Sequence, residues 1–438
     1  MKMKLFIVSL FIVSGSYAEA PKLSATDQYV LCLKKVTDVM VNDVASPVAA
    51  SRYYAYVSLA AYETASLYGK LPSFKGVLNG YNGISISKEL VNGTDKDLAI
   101  LLSVMKTGER LLPSGYMVKK DTDSLMMAYA KNPALKKTAT LVDSVVVQVM
   151  KYVAGDGFNK LNNMPRYILR NGDGYWKPTP PAFMAPVEPH WNSLRTFYLD
   201  SVQQFKPEPP VPYDTAKSSS FYKMMKEVYD VDKEKNAGKQ EIANFWDCNP
   251  FAVQQIGHVE FGLKKISPGG HWVGITGIAC RHRKLNIEQT VLVHALVSIG
   301  LADAFMSCWD EKYRSNRVRP EHVIQKLIDP SWKPLLQTPP FPEYVSGHSV
   351  ASNAAALILT AIFGDSFAFT DNTETEFGLK ARKFSSFNAA AAEASISRLY
   401  GGIHYRDAID QGVWQGRQIG NFMVNKMAVH YSTAKNSR

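Results

Sequence analysis

Cysteine is scarce in this chain: four residues in 438, at Cys32, Cys248, Cys280 and Cys308. Their spacing follows no zinc-finger or zinc-ribbon pattern, so a metal–thiolate site is not expected. Arginine-rich runs are also missing. Although the formal net charge is +11, nothing resembles a nucleic-acid-binding stripe, and an anionic ligand is the better use of the excess positive charge. After the first residues there is no clean membrane-length apolar run. The stretch from Val291 to Cys308 is interrupted by His294 and Asp303, so no membrane span is expected. Alternating strand-like runs and internal repeats are absent as well. Proline is unevenly spread: residues 178–212 hold nine of the 23.

What remains is a chain that is 46% hydrophobic and 20% charged, with apolar residues at helical spacing and turn signals between them. The fold class is all-α. Helices are expected at 27–43, 47–68, 95–112, 121–154, 218–231, 240–246 and 286–313, with two more long ones towards the C-terminus. The proline-rich segment cannot be regular helix. The aromatics in and beside it (Tyr175, Trp176, Phe183, Trp191, Phe197, Tyr198) favour an ordered loop wrapped over the helices. The first residues read as a secretory signal: Lys2 and Lys4, an apolar run from Leu5 to Val13, then a small-residue cleavage site ending at Ala18. Removing residues 1–18 takes away two lysines and no acid, leaving +9. Export to a periplasm or the medium is expected, which makes disulfides possible among the four cysteines. The expected organisation is a signal peptide (1–18), an N-terminal helical region with the proline–aromatic loop (19–215) and a C-terminal catalytic region (216–438).

Three basic clusters carry the chemistry. Lys312 and Arg319 are seven residues apart, which on a helix ended by Pro320 places them on one face. Arg314 and Arg317 fall off that face, towards solvent. Ser346, Gly347 and His348 precede a helix that stops at Gly364, so free N–H groups and the helix dipole meet an anion there. Arg398 and His404 are six apart. The pair Gly401–Gly402 lets one helix end and another begin, so both side chains face one point. The small-residue stripe Ala408, Gly412, Gly416 and Gly420 points to close helix packing. Together the clusters suit a tetrahedral oxyanion, phosphate or vanadate.

In order, Lys-x6-Arg-Pro, Ser-Gly-His and Ser-Arg-x5-His resemble the three motifs shared by type 2 phosphatidic acid phosphatases, bacterial class A acid phosphatases and vanadium-dependent haloperoxidases. The chain's size, its helical N-terminal half and the proline–aromatic loop resemble the haloperoxidases. Trp309 and Phe341 match pocket positions of bacterial vanadium iodoperoxidases of marine flavobacteria. The resemblance implies vanadate(V) as cofactor, bonded to His404, with its charge compensated by Lys312, Arg319 and Arg398. It also implies hydrogen bonds from Ser346 and the Gly347 N–H, and general acid/base work by His348. Lys312 would assist catalysis by polarising the bound oxidant. Hydrogen peroxide and a halide, iodide favoured and bromide second, would be the substrates. The alternative is an exported acid phosphatase of the same superfamily, in which His404 carries a phospho-histidine. One departure stands out: where the family motif often continues His-x3-Asp, this chain has Ala408, flanked by Asp407 and Asp410. Asp247 is a candidate carboxylate partner for Arg398.

Overall fold

Ten helices begin on a serine, asparagine or aspartate whose side chain accepts a backbone N–H of the first turn, satisfying a donor the helix cannot. The computed structural model describes residues 23–256, 259–262 and 265–436; the expected signal peptide lies outside them. The N-terminal helices are α1 (Ala25–Asn42), α2 (Pro47–Ser66), α3 (Lys88–Val91), α4 (Lys96–Leu111), α5 (Gly115–Ala128) and α6 (Leu135–Ala154). Then come α7 (Ser220–Lys233), α8 (Ala237–Phe245), α9 (Pro268–His282), α10 (Ile287–Ser315) and α11 (Pro320–Leu327). The last three are α12 (Gly347–Phe363), α13 (Phe387–Tyr400) and α14 (Arg406–Asn436).

The all-α reading holds, with two small additions. Antiparallel pairs β1 (Val253–Ile256) with β2 (Val259–Gly262), and β3 (Phe369–Asp371) with β4 (Arg382–Phe384), were not expected. The helix expected over 121–154 is two helices, because Asn132 and Pro133 fall in the turn between α5 and α6. Helix α9 was not anticipated either. Its Gly269, Gly270, Gly274 and Gly277 blur the apolar period, although Ser267 caps it and Pro268 opens it.

Helix α10 is the axis of the molecule. A capping box between Asn286 and Gln289 starts it, and it runs buried between α2 and α12. It is long and apolar enough to span a membrane, yet 94% of its apolar window is buried within the protein. Two of its buried polar residues bond to backbone within the protein. His294 Nδ1 bonds the Thr290 carbonyl at 2.8 Å. The Asp303 carboxylate accepts the N–H groups of Phe197, Tyr198 and Leu199 at 2.7–3.1 Å. Those three N–H groups belong to the proline–aromatic segment, which is therefore a wrapped loop. The same loop puts the Val187 carbonyl on Trp309 Nε1 (3.2 Å) and the Tyr313 hydroxyl (2.6 Å), and buries Trp176 and Trp191. All four cysteines are buried and free, so the possible disulfides are not formed.

The glycine stripe of α14 lies against α12. A Cβ on Gly416 would sit 2.3 Å from the Val350 carbonyl oxygen, and one on Gly412 2.8 Å from Ser349 Cβ. Glycine is what lets the two backbones meet. The contact continues to the head of α12, where the Ser346 N–H bonds the Ala408 carbonyl at 2.9 Å.

Candidate active site

Lys312 occupies the last turn of α10. The helix ends at Ser315 because Asn316 turns left-handed (φ 51°), its N–H closing on the Lys312 carbonyl. Arg319 is therefore not on that helix. It is extended (φ −78°, ψ 152°) and stands just ahead of Pro320, the first residue of α11. The expectation of one shared helix face is corrected: proline keeps the residue before it out of helical geometry, and the asparagine turn comes four residues sooner. The two cations still converge, on one strip of backbone. Lys312 Nζ donates to the carbonyls of Pro342 (3.2 Å), Glu343 (3.0 Å) and Val345. Arg319 donates from Nε to Phe341 (3.0 Å) and from Nη1 to Ile403 (2.8 Å).

Arg317 is not solvated, as its spacing implied, but buried. Its Nε meets Glu343 at 2.7 Å, and its Nη atoms grip both oxygens of Asp407 at 2.6 and 2.7 Å. Burial opposes its charge, and Glu343 and Asp407 overcome that and hold it protonated. Arg314, half-buried, pairs with Asp310 and Glu311.

The second cluster opens α12 as expected. Ser346 Oγ accepts from Ser349 N (3.2 Å) and from Ser349 Oγ (2.9 Å), which leaves its own hydrogen to donate. The N–H groups of Gly347 and His348 lie in the first turn, ahead of any intrahelical acceptor. A Cβ at Gly347 would meet Trp309 and Phe305 at an ordinary 3.7–3.8 Å. The wall therefore does not demand glycine; a side chain would instead fill the pocket that Gly347 lines. His348 Nε2 is buried with no partner.

At the third cluster α13 ends at Gly401, and Gly402 turns the chain at φ 76°. A Cβ on Gly401 would fall 2.5 Å from Leu336 Cδ1, so any larger residue at this break would have to push the Leu336 side chain aside. Arg398 and His404 then face one pocket, together with Gly347, His348, Trp309, Phe341 and Cys248. His404 Nδ1 lies 2.8 Å from Glu343 Oε1, which also accepts the Tyr405 N–H at 3.0 Å. A carboxylate only accepts, so Nδ1 carries the proton and Nε2 presents its lone pair to the cluster. Arg319 Nη1 is 3.2 Å from that Nε2.

Glu343 is the carboxylate that sequence reasoning missed. Its signal was faint: it is one of three acids between the first two clusters, with Glu321 and Asp329, and no spacing singles it out. Asp407 is taken up by Arg317, and Asp410 makes no contact with the pocket residues among the described hydrogen bonds and ion pairs. Asp247 acts on Arg398 only through its charge; its own ion pair is with Lys265. Arg398 Nη1 donates instead to the Trp246 carbonyl at 2.8 Å, and its Nε has no partner.

The electrostatics are one-sided. Lys312 is pushed down to about 7, by burial first and by Arg319 beside it. Arg319 is pushed down to about 10 by burial, with Arg398 adding to it. Burial and then the surrounding cations hold His404 and His348 well below the ordinary imidazole value. The one carboxylate within the cluster, Glu343, is already engaged by Arg317 and His404. An unpartnered Arg398 Nε, the first N–H groups of α12, crowded cations and an imidazole lone pair met by Arg319 fit a bound tetrahedral oxyanion, with vanadate able to take Nε2 as a ligand.

Residues 292–433 match the family model described as the VCPO second helical-bundle domain. The crystal structure of the first bacterial vanadium-dependent iodoperoxidase superposes with a TM-score of 0.87 at 43% identity, over 93% of this chain and 98% of that one. The chain belongs to the vanadium-dependent haloperoxidases. Holo and apo bacterial vanadium-dependent chloroperoxidases share the fold, at TM-scores of 0.67 and 0.65 and identities of 16% and 14%, over 93% of this chain and 93% and 95% of theirs. No curated protein matches. Membership of this family leaves the acid phosphatase alternative without support.

Haloperoxidase residues Trp309 and Phe341 stand where the motif spacing implied, on the pocket wall. Their rings lie 4.9 Å apart, with Phe305 5.9 Å beyond Trp309. Lys312 Nζ sits 5.1 Å from the Phe341 ring centre, as does the Arg319 guanidinium. The haloperoxidase pocket is thus cationic on the side of His404 and aromatic on the side of α10.

Proposed function

We propose that this haloperoxidase oxidises halide with hydrogen peroxide to hypohalous acid at vanadate held by His404, and that iodide is its preferred halide. The observation that carries the reading is the hydrogen bond between His404 Nδ1 and Glu343, which leaves the Nε2 lone pair to the cationic cluster. When bound, vanadate(V) supplies a Lewis-acid centre that activates peroxide without changing oxidation state. Arg319, Arg398 and Lys312 hold the anion's charge in a dry pocket, where fixed cations act more strongly than in water. Lys312 gains a full charge once an anion sits beside it. Ser346 Oγ and the first N–H groups of α12 donate to the remaining oxygens. His348, kept neutral by burial and its cationic neighbours, would accept and return a proton at its unpartnered Nε2. The choice of iodide rests on the Trp309–Phe341 wall, an apolar and polarisable surface suited to a large, weakly hydrated anion, and on the likeness to the bacterial iodoperoxidase.

The test is iodide and bromide oxidation by peroxide with and without added vanadate. The proposal expects vanadate-dependent activity, faster on iodide, inhibited by phosphate and abolished in His404→Ala. Undiminished iodide oxidation in that variant would sink it. We further propose that the protein is exported, on the strength of its N-terminal sequence; N-terminal sequencing of the mature protein tests this, with residue 19 expected first.

A further inference from the structure

Against the pocket wall, and sharing Cys248 with it, lies a second cluster to which the proposed haloperoxidase chemistry gives no role. Cys248 comes from the segment after α8, His271 from the first turns of α9, and Asp371 and Glu374 from β3 and the turn after it. All four side chains are buried. Cys248 Sγ is 3.3 Å from His271 Nδ1 and 3.7 Å from Glu374 Oε1, and His271 Nδ1 is 3.1 Å from Glu374 Oε1. On its other side, His271 Nε2 meets Asp371 Oδ2 at 2.7 Å.

Three ligand atoms around one tetrahedral ion, with bonds of about 2.0–2.3 Å, stand about 3.3–3.6 Å from one another. The observed edges of 3.1, 3.3 and 3.7 Å bracket that range. Asp371 occupies the place a zinc-bound imidazole reserves for a carboxylate, on the ring nitrogen away from the metal. Cysteine spacing misses such a site, because each ligand comes from a different element and only one is a cysteine.

We propose that Cys248, His271 and Glu374 form a Zn2+ site, with Asp371 orienting His271. The ion ties the segment after α8 to α9 and to the β3 turn, a cross-link the free cysteines do not make. It also fixes Trp246, which stacks on His271 at 4.5 Å and whose carbonyl holds Arg398.

The test uses the untagged full chain produced in medium containing zinc, or cobalt in its place, with no vanadate added. Elemental analysis of the zinc protein should give about one ion per chain. The cobalt protein should show the strong visible bands of a tetrahedral ion and a sulfur-to-cobalt charge-transfer band. Cys248→Ser, checked for folding by circular dichroism, should lose the charge-transfer band, and Glu374→Gln should weaken zinc binding at least tenfold. The wild-type cobalt spectrum needs no variant, so the proposal stays testable if either substitution prevents folding. A folded wild-type protein that takes up neither metal overturns it, and so does a charge-transfer band that survives in folded Cys248→Ser.

Discussion

Glu343 governs two charges at once. Its Oε1 fixes the proton on His404 Nδ1, and its Oε2 holds Arg317. In Glu343→Gln the amide can still accept, but it no longer favours the lone pair on Nε2 by charge. Substitutions behind a metal-bound histidine commonly cost about 10–100-fold in affinity or activity, and a loss of that size in vanadate affinity is expected here. Equilibrium dialysis against vanadate measures it; unchanged affinity would show that Glu343 does not orient His404. The residues that touch the proposed anion were legible in the sequence, because each belongs to a short motif of reactive types. Glu343 and Arg317 were not. Their importance comes from a contact across 26 residues of chain, which spacing along a helix cannot reveal.

Among elements, the junction of α12 and α14 sets the position of Ser346. Gly416→Ala would press a methyl group against the Val350 carbonyl, which is backbone and cannot rotate away. Overpacking of this kind costs about 1–3 kcal/mol. The expected outcome is that loss in a urea titration together with weaker vanadate binding, since Ser346 and the head of α12 shift with the helix. A variant as stable as wild type would mean that the junction relaxes. The stripe itself was readable from four small residues at four-residue spacing, and so was the break at Gly401–Gly402. The end of α10 was not. The chain from Lys312 to Pro320 reads as continuous helix until Asn316 takes the left-handed turn, a conformation that asparagine tolerates but does not announce. Helix α9 was hidden for the opposite reason, since its glycines reflect close neighbours such as Tyr54 and Thr373 and not a turn.

Across the whole molecule, the wrapped loop and the buried helices close the pocket so thoroughly that the anion-free protein must hold its cations against one another. This predicts a pH dependence. Lys312 in the folded, anion-free chain titrates near 7, whereas in the unfolded chain it titrates at about 10.4. Between those values the unfolded chain binds more protons, so this group's contribution to stability rises as pH rises from about 7 to about 10 and is lost as pH falls. His404 and His348, also depressed, act in the same direction below about 6.5. Anion-free Lys312→Met loses the three carbonyl bonds at every pH, and its stability relative to wild type is expected to be best at pH 7 and to fall towards pH 10. Denaturant titrations at both values check this, and a relative stability that grows with pH would contradict it. An oxyanion beside Lys312 should abolish the difference in slope.

The most direct test of the account is vanadium X-ray absorption on the vanadate-loaded protein. A nitrogen neighbour from imidazole should appear around the metal in wild type and vanish in folded His404→Ala. An all-oxygen shell in wild type, or a nitrogen that persists in the variant, would contradict the assignment of His404 as the residue that holds the cofactor.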